Sequence, residues 1–346
     1  MQANSIFTQT AVIVLATVLA ISGCATHPAE PLQPPADLVW PRAPEVPRIR
    51  YLNSISRPED ANITIGAVRR FLDYMIGAPE KSMVTPYGIE ADAAGRLYVV
   101  DTYLKIVHVF DTNSNQYRTF PTDGVAVTMP IDVAVDKNGG CLYLTDSQAG
   151  VVVIFDDFGK KPVGVIGKGV LKRPTGIAVN PKTDELLVVD TALAQILRYD
   201  LKNHRLKGKF GGRGKTQGRF HYPTNIWAAA NGTILIADSL NFRIQVFAPD
   251  GQFLHSFGGP GDIPGYFTRP RGVAADSDGN IYVVDALFDN VQVFAPDGRV
   301  LMAFGGSGNG FGQFWLPNGI FIDSNDRIYV SDSYNKRIQV FQYIKR

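Results

Sequence analysis

Residues 270–306 contain, in order, Pro270-Arg-Gly-Val273, Ile281-Tyr-Val-Val-Asp285, Asn290-Val-Gln-Val-Phe294-Ala-Pro-Asp-Gly298 and Phe304-Gly-Gly306. Each apolar piece is strand-length, rich in β-branched and aromatic residues, and bounded by Gly, Pro or Asp, which predicts short strands joined by tight turns. The pattern recurs along the chain. Its second piece returns as Tyr98-Val-Val-Asp101, Tyr143-Leu-Thr-Asp146, Leu187-Val-Val-Asp190, Leu235-Ile-Ala-Asp238 and Tyr329-Val-Ser-Asp332, so that the six aspartates are spaced 45, 44, 48, 47 and 47 residues apart. Its first piece returns as Pro86-Tyr-Gly-Ile89, Pro130-Ile-Asp-Val133, Pro174-Thr-Gly-Ile177, Pro223-Thr-Asn-Ile226 and Pro317-Asn-Gly-Ile320. Four short strands per unit at this period describe a propeller blade, and six units predict an all-β, six-bladed β-propeller.

The connections between units repeat as well. Phe210-Gly-Gly-Arg-Gly214, Phe257-Gly-Gly-Pro-Gly261 and Phe304-Gly-Gly-Ser-Gly308 each lead to a Gly, a Phe and the next Pro at constant offsets. This pattern resembles the NHL repeat, and the resemblance covers residues 48–346. The sixth unit stops five residues after Arg337-Ile-Gln-Val-Phe341, one strand short of a blade. Near the start, Leu52-x-x-Ile55 matches Leu301-x-x-Phe304 and Leu254-x-x-Phe257 in spacing. Residues 48–55 are therefore expected to supply the missing outer strand and remove a free edge. Between that strand and the first blade, Val68, Phe71, Leu72, Met75 and Ile76 fall at helical spacing, predicting a short capping helix over 65–77.

The N-terminus reads differently. Residues 11–21 form an apolar run too short to span a bilayer as a mature helix, and it leads into Ile21-Ser-Gly-Cys24. The tetrapeptide resembles a bacterial lipobox, although residues 1–5 carry no Lys or Arg. The resemblance implies a signal peptide over 1–23, lipidation of Cys24 and a membrane attachment; Ala25 in place of Asp implies sorting to the outer membrane of the cell envelope. Seven prolines, at 28, 31, 34, 35, 41, 44 and 47, predict an extended tether over 24–47. Three segments are thus expected: 1–23, 24–47 and 48–346.

Composition narrows the function. The 34 basic and 32 acidic residues nearly cancel, leaving a formal charge of +2, so no overall basic field recruits nucleic acid. Local clustering exists in the connections: Lys168, Lys172, Arg173, Arg213, Lys215, Arg219, Arg269 and Arg271 fall in successive linkers, which share one face. Outside the cytoplasm such a face favours a protein, polysaccharide or anionic surface over RNA. The propeller is expected to be monomeric. Cys24 and Cys141 make no disulfide framework, and Cys141 opens a buried strand.

Chemistry is sought where the innermost strand breaks its own pattern. Asp132 and Asn225 replace glycine; Glu90, Trp227 and Phe321 stand where the other units have alanine. The residue after the proline varies as Tyr87, Ile131, Thr175, Thr224, Arg271 and Asn318. A carboxylate where a small residue packs costs several kcal/mol unless it is paired or bound. Glu90, Asp132, Asn225, Arg271 and Asn318 are expected to form a polar ring at the channel mouth, lined also by Tyr87, Thr175 and Thr224. Two readings stay open: a ligand site, or mutual neutralisation with Arg271 balancing Glu90 and Asp132. Glu90, Asp132 and Asn225 also supply the residue types that hold the metal in the regucalcin-like lactonase propellers, and their oxygens would suit Ca²⁺. The five histidines occupy five different structural positions. This departs from the amidating-lyase and virginiamycin B lyase propellers, whose chemistry needs channel histidines. The six repeat aspartates are read as turn residues accepting backbone N–H groups. No cofactor and no catalytic residue is assigned. The leading expectation is a membrane-anchored, non-catalytic binding scaffold for an extracytoplasmic protein or glycan, with a metal-dependent hydrolase as the alternative.

Overall fold

The computed structural model describes residues 38–345 except 65, 67–74, 76–81, 122–126, 138 and 157–158. Among these residues lie six sheets, five of four strands and one of five. Blades 1 to 5 each run inward to outward in chain order, from inner strands Pro86–Ala91, Pro130–Val135, Pro174–Asn180, Pro223–Ala228 and Pro270–Ala275. Blade 6 combines Ile320–Ile322, Arg327–Asp332 and Arg337–Tyr343 with an outer strand from the other end of the chain, Ile49–Ile55. The expected closure is present. Ile49 pairs with Tyr343 and Ile55 with Ile338, antiparallel.

Burial explains why these sequences make strands. Each blade is covered on both faces by its neighbours, so the second strands of blades 1 to 5, such as Leu97–Asp101 and Ile281–Asp285, are buried at every residue and read as near-continuous apolar runs ending in Asp. The outermost strand of blade 2, Lys161–Ile166, is exposed at all but its last residue. The core is divided into layers between blades. One layer joins Val100 and Val107 of blade 1 to Val133 and Leu144 of blade 2; another joins Ile338 and Val340 of blade 6 to Ile89 and Val99 of blade 1, completing the ring. Hydroxyls reinforce that last junction: Ser331 Oγ donates to the Tyr87 carbonyl at 2.7 Å and Ser333 Oγ to the Pro86 carbonyl at 2.6 Å.

The repeated linkers have one geometry. Gly211, Gly258 and Gly305 hold φ of 97°, 96° and 97°, and a Cβ at each would stand 2.5 Å from the ring of Phe220, Phe267 or Phe314. The glycine is required by conformation and by the buried phenylalanine packed over it. All six repeat aspartates are fully buried. Asp285, for example, accepts from the backbone N–H groups of Thr268 and Arg269 at 2.7 and 3.0 Å, tying the incoming linker to the turn.

Two expectations meet the structure differently. Residues 38–47, assigned to the tether by their prolines, are part of the folded body: Val39–Trp40 pairs with Ile49–Arg50 as a fifth strand, and Trp40 packs on Phe304 and Phe341 at 5.9 and 5.8 Å. Proline at 41, 44 and 47 leaves room for one two-residue edge strand ahead of it. The helix expected over 65–77 lies outside the described residues apart from Gly66 and Met75, as do Cys24 and the signal and lipobox segments.

Candidate functional site

Strand pairing fixes which groups share a face. Pro86 pairs with Asp101 and Pro270 with Asp285, so the start of every inner strand, the turn after every repeat aspartate and the linkers all lie at one end of the ring. The channel opens here between the residues that follow the prolines. Tyr87, Ile131, Thr175, Arg271 and Asn318 are half-buried and Thr224 is buried. Thr175 and Thr224 are tied into the wall: Thr175 Oγ1 lies 2.8 Å from Thr191 Oγ1, and Thr224 Oγ1 lies 2.8 Å from Ser239 Oγ and 3.1 Å from the Arg271 carbonyl. Asn318 Nδ2 donates to Ser333 Oγ at 2.9 Å.

The expected single polar ring is instead three levels, because each residue of extended strand advances about 3.3 Å along the channel. Arg271 and Tyr87 meet at the mouth, where Arg271 Nη1 donates to Tyr87 Oη at 3.2 Å. Asp132 and Asn225 meet one residue deeper, with Asn225 Nδ2 3.4 Å from Asp132 Oδ2. Glu90 stands two residues deeper again, toward the end where Lys137 of the next blade lies, about 10 Å from the mouth level. Arg271 therefore does not balance Glu90 or Asp132. The one hydrogen bond of its guanidinium among the described residues is to Tyr87, and Nε is buried without a partner there.

Asp132 and Asn225 have a structural task that their positions explain. Where the inner strand carries Gly88, an added Cβ would overlap the backbone and carboxylate of Asp132 in the next blade. Where it carries Asp132 or Asn225, the side chain spans to the next blade: Asp132 Oδ2 accepts from Ile177 N at 3.2 Å and Asn225 Oδ1 from Val273 N at 3.0 Å. Asp132 Oδ1 accepts from Val133 N at 3.0 Å. The amide thus turns its nitrogen, not its oxygen, toward Asp132. Burial raises the Asp132 carboxyl to about 7 against the pull of those backbone donors. Burial raises Glu90 further, to about 8; Lys137 and the Ala91 N–H oppose the rise and Asp132 adds to it. The Glu90 side chain is partly exposed, and its one hydrogen bond among the described residues is from Ala91 N, at 3.2 Å. At the equivalent position of blades 4 and 6 stand Trp227 and Phe321, with ring centroids 5.6 Å apart. No cluster of three His, Cys, Asp or Glu side chains suited to a metal occurs among the described residues.

The histidines are dispersed. His108 is buried inside blade 1, with Nδ1 2.7 Å from Tyr117 Oη, and His204 Nε2 lies 3.2 Å from Tyr143 Oη. His27 lies outside the described residues.

The mouth face carries a feature that the repeat alignment had not singled out. Two residues after each aspartate stand Tyr103, Gln148, Ala192, Leu240, Leu287 and Tyr334. Tyr103, Leu240, Leu287 and Tyr334 are 71%, 41%, 49% and 56% exposed, and Trp315, 53% exposed, packs on Tyr334 at 5.6 Å. Large apolar side chains thus crown blades 4, 5, 6 and 1, which are consecutive, while blades 2 and 3 carry none at this position. The linkers entering blades 3 and 4 expose Lys168, Lys172, Arg173, Arg213, Lys215 and Arg219 on the same face. The signal was legible as a variable position at fixed offset from an invariant one.

The chain is an all-β six-bladed propeller that carries NHL repeats. The NHL repeat model matches residues 267–295 and 314–341, in the last two units. Among solved structures it is similar to an auxiliary nutrient binding protein from Bacteroides thetaiotaomicron, at 15% identity and a TM-score of 0.60 over 77% of this chain and 71% of that one. It is also similar to catalytically inactive virginiamycin B lyase from Staphylococcus aureus with quinupristin, at 12% identity and a TM-score of 0.55 over 86% of this chain and 99% of that one. At these identities the likeness is one of fold. The Arabidopsis thaliana protein strictosidine synthase-like 2 is 27% identical over 141 residues, which is 36% of this chain and 37% of that relative, so the chain spans little more than a third of it.

Proposed function

We propose that this propeller is a binding scaffold of the bacterial cell envelope, held at the outer membrane by a lipidated Cys24, and that the face around the channel mouth receives an extracytoplasmic protein or glycan. The observation that carries this reading is the crescent of exposed Tyr103, Leu240, Leu287, Trp315 and Tyr334 on that face. Apolar side chains gathered on one side of a folded domain, beside a basic sector, mark a place where a partner removes them from water. Aromatic rings on rigid turns suit both sugar faces and protein side chains, since little side-chain entropy is lost when they are covered. The description of a similarly folded propeller as a nutrient binding protein supports a binding role.

The test compares three proteins for binding to fractionated envelope glycans and envelope proteins: wild type, Trp315→Ala/Tyr334→Ala, and Val163→Ala/Val165→Ala. The last pair is exposed on the outer strand of blade 2 and serves as control. The reading expects the first double variant to lose at least about tenfold in affinity, as central aromatic anchors do, with the control unchanged. Equal binding by all three would remove the face from consideration.

A further inference from the structure

Resting on that reading of the mouth face, we propose that the mouth itself is a subsite for a single carboxylate, held by the Arg271 guanidinium and the Tyr87 hydroxyl. Arg271 issues from blade 5 and reaches Tyr87 of blade 1, so its guanidinium extends past blade 6 at the mouth. A guanidinium offers five N–H donors in a planar fork and keeps its charge at all ordinary pH values. Here one donor serves a neutral phenol, and among the described residues Nε is buried with no protein acceptor and no acidic side chain pairs with the guanidinium. A half-buried cation in that condition is short of an anion.

The neighbours define which anion. No other residue of the mouth level is charged: the remaining five are Tyr87, Ile131, Thr175, Thr224 and Asn318. One residue deeper, Asp132 has its oxygens engaged by Val133 N, Ile177 N and Asn225 Nδ2. Arg173, on the linker into blade 3, lies over the Tyr222 ring at 5.5 Å. One cation at the mouth matches one negative charge, which favours a carboxylate over a phosphate dianion. A carboxylate also fits the fork geometrically, by two parallel N–H···O bonds. Tyr87 Oη accepts from Arg271, so its own proton remains to donate to the ligand. The hydroxyls of Thr191 and Ser239, behind Thr175 and Thr224, donate to the Pro223 and Pro270 carbonyls. The wall on that side is therefore already satisfied, and recognition falls to Arg271 and Tyr87.

A carboxylate reaches an envelope propeller from two sources, a uronate in an acidic glycan or the carboxylate of a peptide. The experiment uses both: oligogalacturonate beside its methyl ester, and a short peptide with a free C-terminus beside its amide. Each is titrated calorimetrically into wild type, Arg271→Gln, Arg271→Lys and Tyr87→Phe, with circular dichroism confirming that each variant is folded. The proposal expects at least one acidic probe to bind, with its neutral counterpart about ten- to a hundredfold weaker, the range of a charge-assisted hydrogen-bond pair. Arg271→Gln should erase that preference, Arg271→Lys should retain only part of it, and Tyr87→Phe should weaken the acidic probe alone. Equal affinity for acidic and neutral probes, no binding of either acid, or an acid preference that survives Arg271→Gln overturns the subsite. Loss of binding in Trp315→Ala/Tyr334→Ala with none in Arg271→Gln would sink the subsite while leaving the face intact.

Discussion

Replacing Glu90 by Gln tests the electrostatics of the channel. In the folded protein the Glu90 carboxyl is raised from an ordinary 4.5 to about 8, chiefly by burial and against the pull of Lys137, and no cation stands in ion-pair contact with it among the described residues. A carboxyl that holds its proton more tightly when folded lets the unfolded chain release that proton first. Its penalty on stability is therefore absent below about pH 4.5, grows as pH rises, and levels off above about 8. Each tenfold change in proton affinity corresponds to about 1.4 kcal/mol, so the full penalty is bounded near ~5 kcal/mol. Partial exposure lets water soften it, and ~2–3 kcal/mol is the working figure. Gln has the size of the protonated acid and can accept the same Ala91 N–H bond. Wild type and Glu90→Gln should therefore melt together at pH 4.5 and diverge upward, with the variant ~4–6 °C more stable at pH 9, taking ~2 °C per kcal/mol for a domain of this size. Differential scanning calorimetry at half-unit pH intervals reads this directly. Parallel melting curves across that range, or a variant less stable than wild type at pH 9, would refute the burial argument and restore a partner for Glu90.

Ring closure predicts that deleting residues 38–55 opens blade 6 and lowers the thermal transition sharply or abolishes soluble expression, since buried Ile49, Tyr51 and Ile55 alone represent ~5–8 kcal/mol. Trp40→Ala should cost ~2–3 kcal/mol through its contacts with Phe304 and Phe341, whereas deleting 25–37 should leave the transition in place; equal melting of all three would contradict the closure. Cys24→Ser should move the protein from the membrane to the soluble fraction or leave an unprocessed precursor, and fractionation as wild type would end the lipoprotein reading. Millimolar Ca²⁺ should not shift the melting temperature relative to chelator, because Asn225 Oδ1 faces Val273 N and both Asp132 oxygens already accept backbone donors; a shift of a few degrees that Glu90→Gln removes would favour the metal-dependent hydrolase.

The fold was legible because each of its constraints is periodic. The aspartate that ties linker to turn and the largely apolar second strand recur in all six units, and the glycine beneath a buried phenylalanine recurs in the last three linkers, so one unit explains the others. The closing strand was legible through a spacing match alone. What the sequence concealed was depth. Arg271, Asp132 and Glu90 stand one, two and four residues after the prolines of equivalent inner strands, and the strand rise separates them along the channel. It also concealed direction: nothing in the letters tells that Asn225 turns its oxygen to Val273. The engagement of Arg243 and Arg337 with Asp238 and Asp332, at 2.9 and 2.8 Å, was available in the sequence as Asp-x4-Arg in the fourth and sixth units. Trp40 was missed because prolines on its C-terminal side outweighed an edge strand of two residues.

The claim that matters most is that the mouth face is the binding face, and hydrogen exchange with mass spectrometry on a purified complex tests it most directly. With a partner bound, added protection is expected in the turns that carry Tyr103, Leu240, Leu287 and Tyr334 and in the linker that carries Trp315. The outer strand Lys161–Ile166 and the turn that carries Lys137, at the far end of the channel, should exchange as in the free protein. Protection confined to the far end or to the outer strands would contradict the account.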